Sequence, residues 1–198
     1  MKAIQRFYFL AGGVVLPRLT LRTFMLFKNQ GIHLGEDKRL ALFELEQLLF
    51  CGTLTADEYL RRVNDQVSSP FPISVDGLLK DLLMDEGALS VVDELRKSYQ
   101  VVLLCDYPPE WLLEIDRQTD LSARFNRVIY TRTMNCTDER ALFFQQLQAR
   151  GELVAGECVW VDANPFRTAI AIRQSIDAII YVEERRLRRE LRLRSLIR

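Results

Sequence analysis

Apolar and polar positions along the chain alternate in two different rhythms. The stretch Ala3 to Leu16, AIQRFYFLAGGVVL, is apolar on both sides through Phe7, Tyr8 and Phe9. That pattern predicts a strand buried on both faces, as at the centre of a parallel sheet. Gly12 and Gly13 follow at its carboxyl end, where they permit positive φ and close approach of other backbone. The period then becomes helical. Leu19, Leu21, Phe24, Met25 and Phe27 lead to a glycine stop at Gly31, and a second helix runs from about Asp37 to Phe50 with Leu42, Leu45, Leu48 and Leu49 on one face. Thr55-Ala56-Asp57-Glu58 has capping-box spacing and opens a third helix through Tyr59, Leu60 and Val63. Pro70 and Pro72 break that helix, and Ser74 starts a fourth through Leu78, Leu79, Leu82 and Leu83. Four helices with no strand between them predict a helical insertion.

From Gly87 strands and helices alternate. Helices are predicted over Ala88 to Lys97, Pro109 to Arg117, Asp138 to Arg150 and Pro165 to Gln174. The apolar runs Val101 to Cys105, Val128 to Tyr130, Cys158 to Val161 and Ala178 to Val182 read as strands. Such alternation indicates an α/β fold, a Rossmann-like parallel sheet wound by right-handed crossovers. Residues 1–17 and 87–198 are expected to form the core, and residues 18–86 a four-helix cap. The Leu and Phe stripes of the cap read as a bundle packing on itself, with a lid over the sheet edge as the functional alternative.

Composition changes this picture little. A chain of 198 residues is long enough for a large core, and 48% hydrophobic with 27% charged residues is ordinary for a globular protein. Net charge is zero, so no global field favours nucleic acid or an anionic membrane. Cys51, Cys105, Cys136 and Cys158 lack metal-site or disulfide-framework spacing, which predicts a reducing, cytoplasmic setting. Lys2 and Arg6 before the run Phe7 to Leu16 imitate a secretion signal, but Gly12-Gly13 interrupts the run and no small-residue cleavage site follows. No stretch reaches the roughly 20 apolar residues of a membrane span.

Ligands of open parallel sheets bind beyond the carboxyl ends of the strands. That selects Leu10 to Gly13, Cys105-Asp106-Tyr107, Thr131 to Asp138, and Asp162-Ala163-Asn164. Glu157-Cys158-Val159-Trp160-Val161-Asp162-Ala163-Asn164-Pro165 resembles the segment e-c-l-f-v-D-D-n-p of the haloacid dehalogenase-like hydrolases. Phe9, Ala11, Gly12, Gly13, Val14 and Val15 are similar to that family's first motif, F-D-L-G/D-G-V-L. Phe50 to Tyr59 resembles f-x-G-x-l-t-x-e-e-f in caps of its epoxide-hydrolase amino-domain-like branch. The resemblance implies a phosphatase or related hydrolase. Its aspartate would attack phosphorus, a hydroxyl and a lysine would hold the phosphoryl group, and paired acids would bind Mg²⁺.

The chain departs from that pattern at each chemical step. Leu10 stands where the nucleophile belongs, and Gly12 where a second acid usually protonates the leaving group. Cys105 replaces the hydroxyl residue, no lysine follows Lys97, and Ala163 replaces one metal-binding acid. Arg132 or Arg140 would be the substitute cations. The expectation is therefore a haloacid dehalogenase-like protein that has lost hydrolysis and acts as a binding or scaffold protein, with a vestigial pocket at Leu10, Gly12, Gly13, Cys105, Asp106, Asp162 and Asn164. No cofactor is expected, and Asp162 is a weak candidate for a cation. The alternative is a hydrolase acting on a small phosphorylated metabolite through a non-standard site, with Mg²⁺.

Other chemistries find little support. Cys-x5-Arg is absent, because Asp57, Trp111, Leu142 and Asn164 lie six residues beyond the cysteines. Cys105 beside Asp106 reads as an inert thiol or, alternatively, a reactive one, though no histidine stands ready to activate it. His33, the one histidine, falls in a cap turn and reads as a surface residue. Asp106 and Asp162 either cap the helices that follow them or bind a cation weakly. The tail from Glu183 to Arg198 holds seven arginines and three glutamates, with Leu187, Leu191, Leu193 and Leu196 at helical spacing. It reads as a docked terminal helix, or as a basic arm for an acidic partner or nucleic acid. A protein partner or a homodimer is open, and no membrane is expected.

Overall fold

The computed structural model describes residues 3–68, 71–134 and 140–198. Five strands form one parallel sheet: β1 (Arg6–Leu10), β2 (Gln100–Cys105), β3 (Arg127–Tyr130), β4 (Cys158–Asp162) and β5 (Asp177–Ile180). Their order is β3-β2-β1-β4-β5, so β1 is central and the chain reverses its direction of winding there. Phe7, Tyr8, Phe9 and Leu10 are fully buried, as the two-sided apolar run requires. Trp160 on β4 stacks on Tyr8 at 6.3 Å and meets Phe144 edge-on at 4.8 Å. The register sets Leu10 beside Leu104 and Phe9 beside Val161. The turns after β1, β2 and β4 therefore emerge side by side, and this is where a ligand site belongs.

Four helices separate β1 from the rest: α1 (Leu19–Asn29), α2 (Glu36–Phe50), α3 (Ala56–Val67) and α4 (Val75–Leu79). The Thr55 hydroxyl accepts from the Glu58 N–H at 3.1 Å and starts α3, while the Glu58 carboxylate reaches Arg62. The Ser74 hydroxyl accepts from the Gly77 N–H and starts α4 in the same way. That helix stops at Leu79, short of the predicted run through Leu83. Lys80 is extended and Asp81 adopts φ +51°, so Leu82 packs without helical backbone and Leu83 is 84% exposed. The apolar faces of these helices join the same buried cluster as the sheet. Tyr59 meets Trp111 at 6.1 Å, and Phe50 meets Phe143 at 5.7 Å.

The remaining helices are α5 (Glu86–Leu95), α6 (Pro109–Thr119), α7 (Arg140–Ala149), α8 (Pro165–Arg173) and α9 (Glu184–Leu193). The tail is a docked helix. Leu187 and Leu191 are fully buried, and Arg188 bridges Glu184 and Glu94. Arg194 pairs with Asp177 and Glu190. Leu193 lies two residues past Leu191, on the opposite side of the helix, and is 71% exposed. No helix among the described residues is long and apolar enough to cross a membrane.

Candidate functional site

The turn after β1 is closed by its own backbone. The Ala11 carbonyl accepts from the N–H groups of Val15 and Leu16, and the Gly13 N–H donates to the Leu16 carbonyl at 2.6 Å. Gly13 has φ +90°, and a Cβ there would lie 3.1 Å from both the Ala163 Cβ and the Arg18 Nε. Glycine is therefore required on conformational and steric grounds together. Gly12 leaves its N–H free to donate to Asp106 Oδ1 at 2.8 Å, a bond that ties the end of β1 to the end of β2.

Each acidic group at this edge already has partners. Asp162 is fully buried and takes a two-pronged bond from Arg167, Nε to Oδ2 at 2.7 Å and Nη2 to Oδ1 at 3.0 Å. The Asn164 N–H and Trp160 Nε1 also donate to it. Arg167 is itself buried, and its guanidinium carbon lies 4.9 Å from the centre of the Phe50 ring. Burial opposes its charge, but hydrogen-bonded Asp162, with Asp106 and Glu46 nearby, raises its pKa above the ordinary value. Glu46 reaches from α2 to the start of α1 and accepts from the Thr20 hydroxyl and backbone N–H. Asp106 has its carboxyl pushed up to about 6, chiefly by burial, against the opposing pull of Arg167 and the Gly12 N–H.

A cavity of about 480 Å³ opens over this edge, walled by α1, α2 and the start of α8. Gly12, Asp106 and Asn164 line it, as do Arg18, Glu46, Gln47, Phe43, Phe50 and Arg167. Leu10, Cys105 and Asp162 lie beneath it, fully buried, and Gly13 faces an adjoining shallow hollow. Neither Asp106 nor Asp162 caps the helix after it. Asp106 turns across the sheet to Gly12, and the cap of α8 is Asn164, whose Oδ1 accepts from the Phe166 and Arg167 N–H groups.

Cys105 is an inert core thiol. It donates to the Tyr107 carbonyl, and burial raises its pKa well above the ordinary range, so it holds no thiolate. Arg132 points away from the cavity, to the Leu54 carbonyl and Glu110. His33 is exposed on the cap. Cys136 and Asp138 fall outside the described residues, as does the side chain of Arg140.

These residues do not fit Mg²⁺, which needs about six hard oxygen ligands in octahedral array. Leu10 and Ala163 offer no ligating side-chain atom, and both Asp162 oxygens are held by donors. Among the described residues no three His, Cys, Asp or Glu side chains converge as a metal site would require.

The pattern of the sequence does not single out Arg18, Glu46 or Arg167. Glu46 left a trace: it follows Leu42 by four residues and precedes Leu49 by three, so a charge interrupts an apolar helix face. The other two carry no comparable mark.

The sequence matches no family model and no curated protein. Solved structures do resemble it. A predicted HAD-like family hydrolase from Porphyromonas gingivalis aligns at 19% identity over 96% of this chain and 99% of its own, with a TM-score of 0.68. A HAD family enzyme of Bacteroides thetaiotaomicron, in complex with magnesium and inorganic phosphate, aligns at 16% identity over 91% of this chain and 95% of its own, with a TM-score of 0.69. The HAD-hydrolase YfnB of Bacillus subtilis, bound to magnesium, gives 13% identity over 97% and 99%, with a TM-score of 0.62. The sheet order, the helices inserted after β1 and these alignments along nearly the whole chain agree: this chain has the haloacid dehalogenase-like hydrolase fold.

Proposed function

We propose that the protein is a binding protein on a haloacid dehalogenase-like fold, without hydrolytic activity, whose sheet edge holds a small ligand. In this reading residues 1–17 and 87–198 are the core and residues 18–86 the cap, with α1 and α2 forming the cavity wall. The carrying observation is the fully buried, apolar Leu10 at the end of the central strand. It has no lone pair for attack on phosphorus, and loss of the nucleophile from a coupled site removes about as much rate as loss of the whole set. The engagement of Asp162 by Arg167 supports the same reading from the metal's side. Buried reduced thiols at Cys105 and Cys158 support a cytoplasmic setting.

The test is hydrolysis of p-nitrophenyl phosphate with Mg²⁺, together with a search for an acid-stable, hydroxylamine-sensitive phosphoenzyme. Neither turnover nor phosphoenzyme is expected. Turnover that survives repurification and disappears in Asp106→Asn would establish a hydrolase with a non-standard site instead.

A further inference from the structure

We propose that the outer face of α9 is a docking surface for a nucleic-acid duplex, held through its phosphate backbone without readout of bases. None of its residues lines the cavity, so the surface goes beyond the reading of that cavity as a small-ligand site. Fully buried Leu187 and Leu191 fix which way the helix faces. At about 100° per residue, Arg185, Arg186, Arg189 and Arg192 fall within roughly 120° of its circumference, centred opposite that apolar seam. All four are exposed.

The acids around the helix are turned away from this face. Glu184 and Glu94 hold Arg188, and Glu190 and Asp177 hold Arg194, two arginines that lie outside the exposed arc. Asp85, at the start of α5, accepts from the Tyr181 hydroxyl. Glu183 precedes the helix and lies towards Tyr181, whose hydroxyl it helps to keep protonated. Seven arginines and three glutamates make up the charge of the tail, and with Glu94, Asp177 and Asp85 counted the arginines still outnumber the acids. The surplus sits on the outer arc. Arg185, Arg186 and Arg189 have no hydrogen bond or ion pair among the described residues, and Arg192 uses only its Nε, on the Arg198 carbonyl at 3.0 Å.

The rest of the face selects the kind of polyanion. Leu187 and Leu191 are committed to the core, so the helix has no free apolar stripe to lay into a bilayer. Leu193 is the one large apolar side chain on the arc, too little for the apolar centre of a stable protein interface. No aromatic residue lies on α9, so the bases of a single strand find no stacking platform. A duplex backbone needs none of these. Arg185 to Arg192 span about 10 Å along the helix, a length that holds about three phosphates of one strand. Each guanidinium fork matches a phosphate in two-pronged geometry. The zero net charge of the whole chain does not oppose this, since salt screens charges beyond about 8–10 Å.

The experiment measures binding of the full chain to a fluorescent DNA duplex of about 20 base pairs by anisotropy, between about 50 and 200 mM salt. Affinity should not depend on base sequence, and its logarithm should fall with the logarithm of salt at a slope of about −3. Arg185→Gln with Arg189→Gln should make that slope shallower by about two and weaken binding about 10- to 100-fold at the lower salt. Arg185→Lys with Arg189→Lys should keep the slope, because the charge stays. Arg61→Gln with Arg117→Gln removes as much charge from exposed ion pairs elsewhere and should leave the slope unchanged. All these side chains are exposed, so every variant should keep the wild-type circular dichroism. No salt-dependent binding of the duplex, equal losses in the two glutamine pairs, or tighter binding of single-stranded DNA, polyglutamate or phosphatidylserine vesicles would overturn the proposal.

Discussion

Asp106→Asn separates charge from shape at the sheet edge. The asparagine Oδ1 can still accept from the Gly12 N–H, which lies 2.8 Å from the carboxylate oxygen it replaces. What disappears is a partly buried charge at the cavity wall. Burial is the largest cause of the raised pKa and Glu46 adds to it, against the opposing effects of Arg167 and the Gly12 N–H, and the sum takes the carboxyl from 3.8 to about 6. A carboxyl with a folded pKa above its unfolded one binds more protons folded than unfolded between those values. Its penalty is therefore absent at low pH, grows as pH rises through that window, and is complete above the folded pKa. At about 1.4 kcal/mol per pH unit, the difference is roughly 3 kcal/mol. Asp106→Asn should be more stable than wild type by about 2–3 kcal/mol near pH 8, and by less than about 1 kcal/mol near pH 4. Urea unfolding followed by circular dichroism at both pH values measures this, and a rise of very roughly 4–12 °C in Tm should accompany the gain at the higher pH. A variant no more stable than wild type near pH 8, or a gain independent of pH, would refute the reasoning.

The other predictions concern the groups around it. Arg167→Met leaves Asp162 buried without its cation and should cost about 3–5 kcal/mol in urea unfolding, while Arg167→Met with Asp162→Asn should recover most of that loss. Gly12→Asp, which restores an acid the fold's hydrolases often carry, would set its Cβ 2.7 Å from Asp106 Oδ2 and bring two carboxylates together. It should lower Tm and confer no heat of Mg²⁺ binding in calorimetry; a stable variant that binds Mg²⁺ would contradict this geometry. Truncation after Glu184 removes the fully buried Leu187 and Leu191. At about 1.5–3 kcal/mol for each buried leucine, Tm should fall by several degrees, whereas an unchanged Tm would mean that the helix is not docked.

The order of strands and helices was legible because it rests on short-range patterns. Apolar runs buried on both faces, helical periods and the caps at Thr55 and Ser74 are all satisfied within a few residues of themselves. Where a local signal was weak the boundary moved: α4 is five residues long and contains Gly77, and it ends before Leu82 and Leu83, which the helical period includes. Leu10 was legible too, since a side chain without a lone pair cannot attack in any fold. The state of the site was not legible, because charges act over distance in space and not along the chain. Gly12 and Asp106 are 94 residues apart, and Thr20 and Glu46 are 26 apart. From the sequence, Asp106 and Asp162 read as caps of the helices that follow them, with weak cation binding as the alternative, and neither caps its helix. Only the folded arrangement set Arg167 against Asp162 and Gly12 against Asp106. A buried acid keeps whichever donor the packing brings within about 3 Å of it, and that donor is chosen by the tertiary structure.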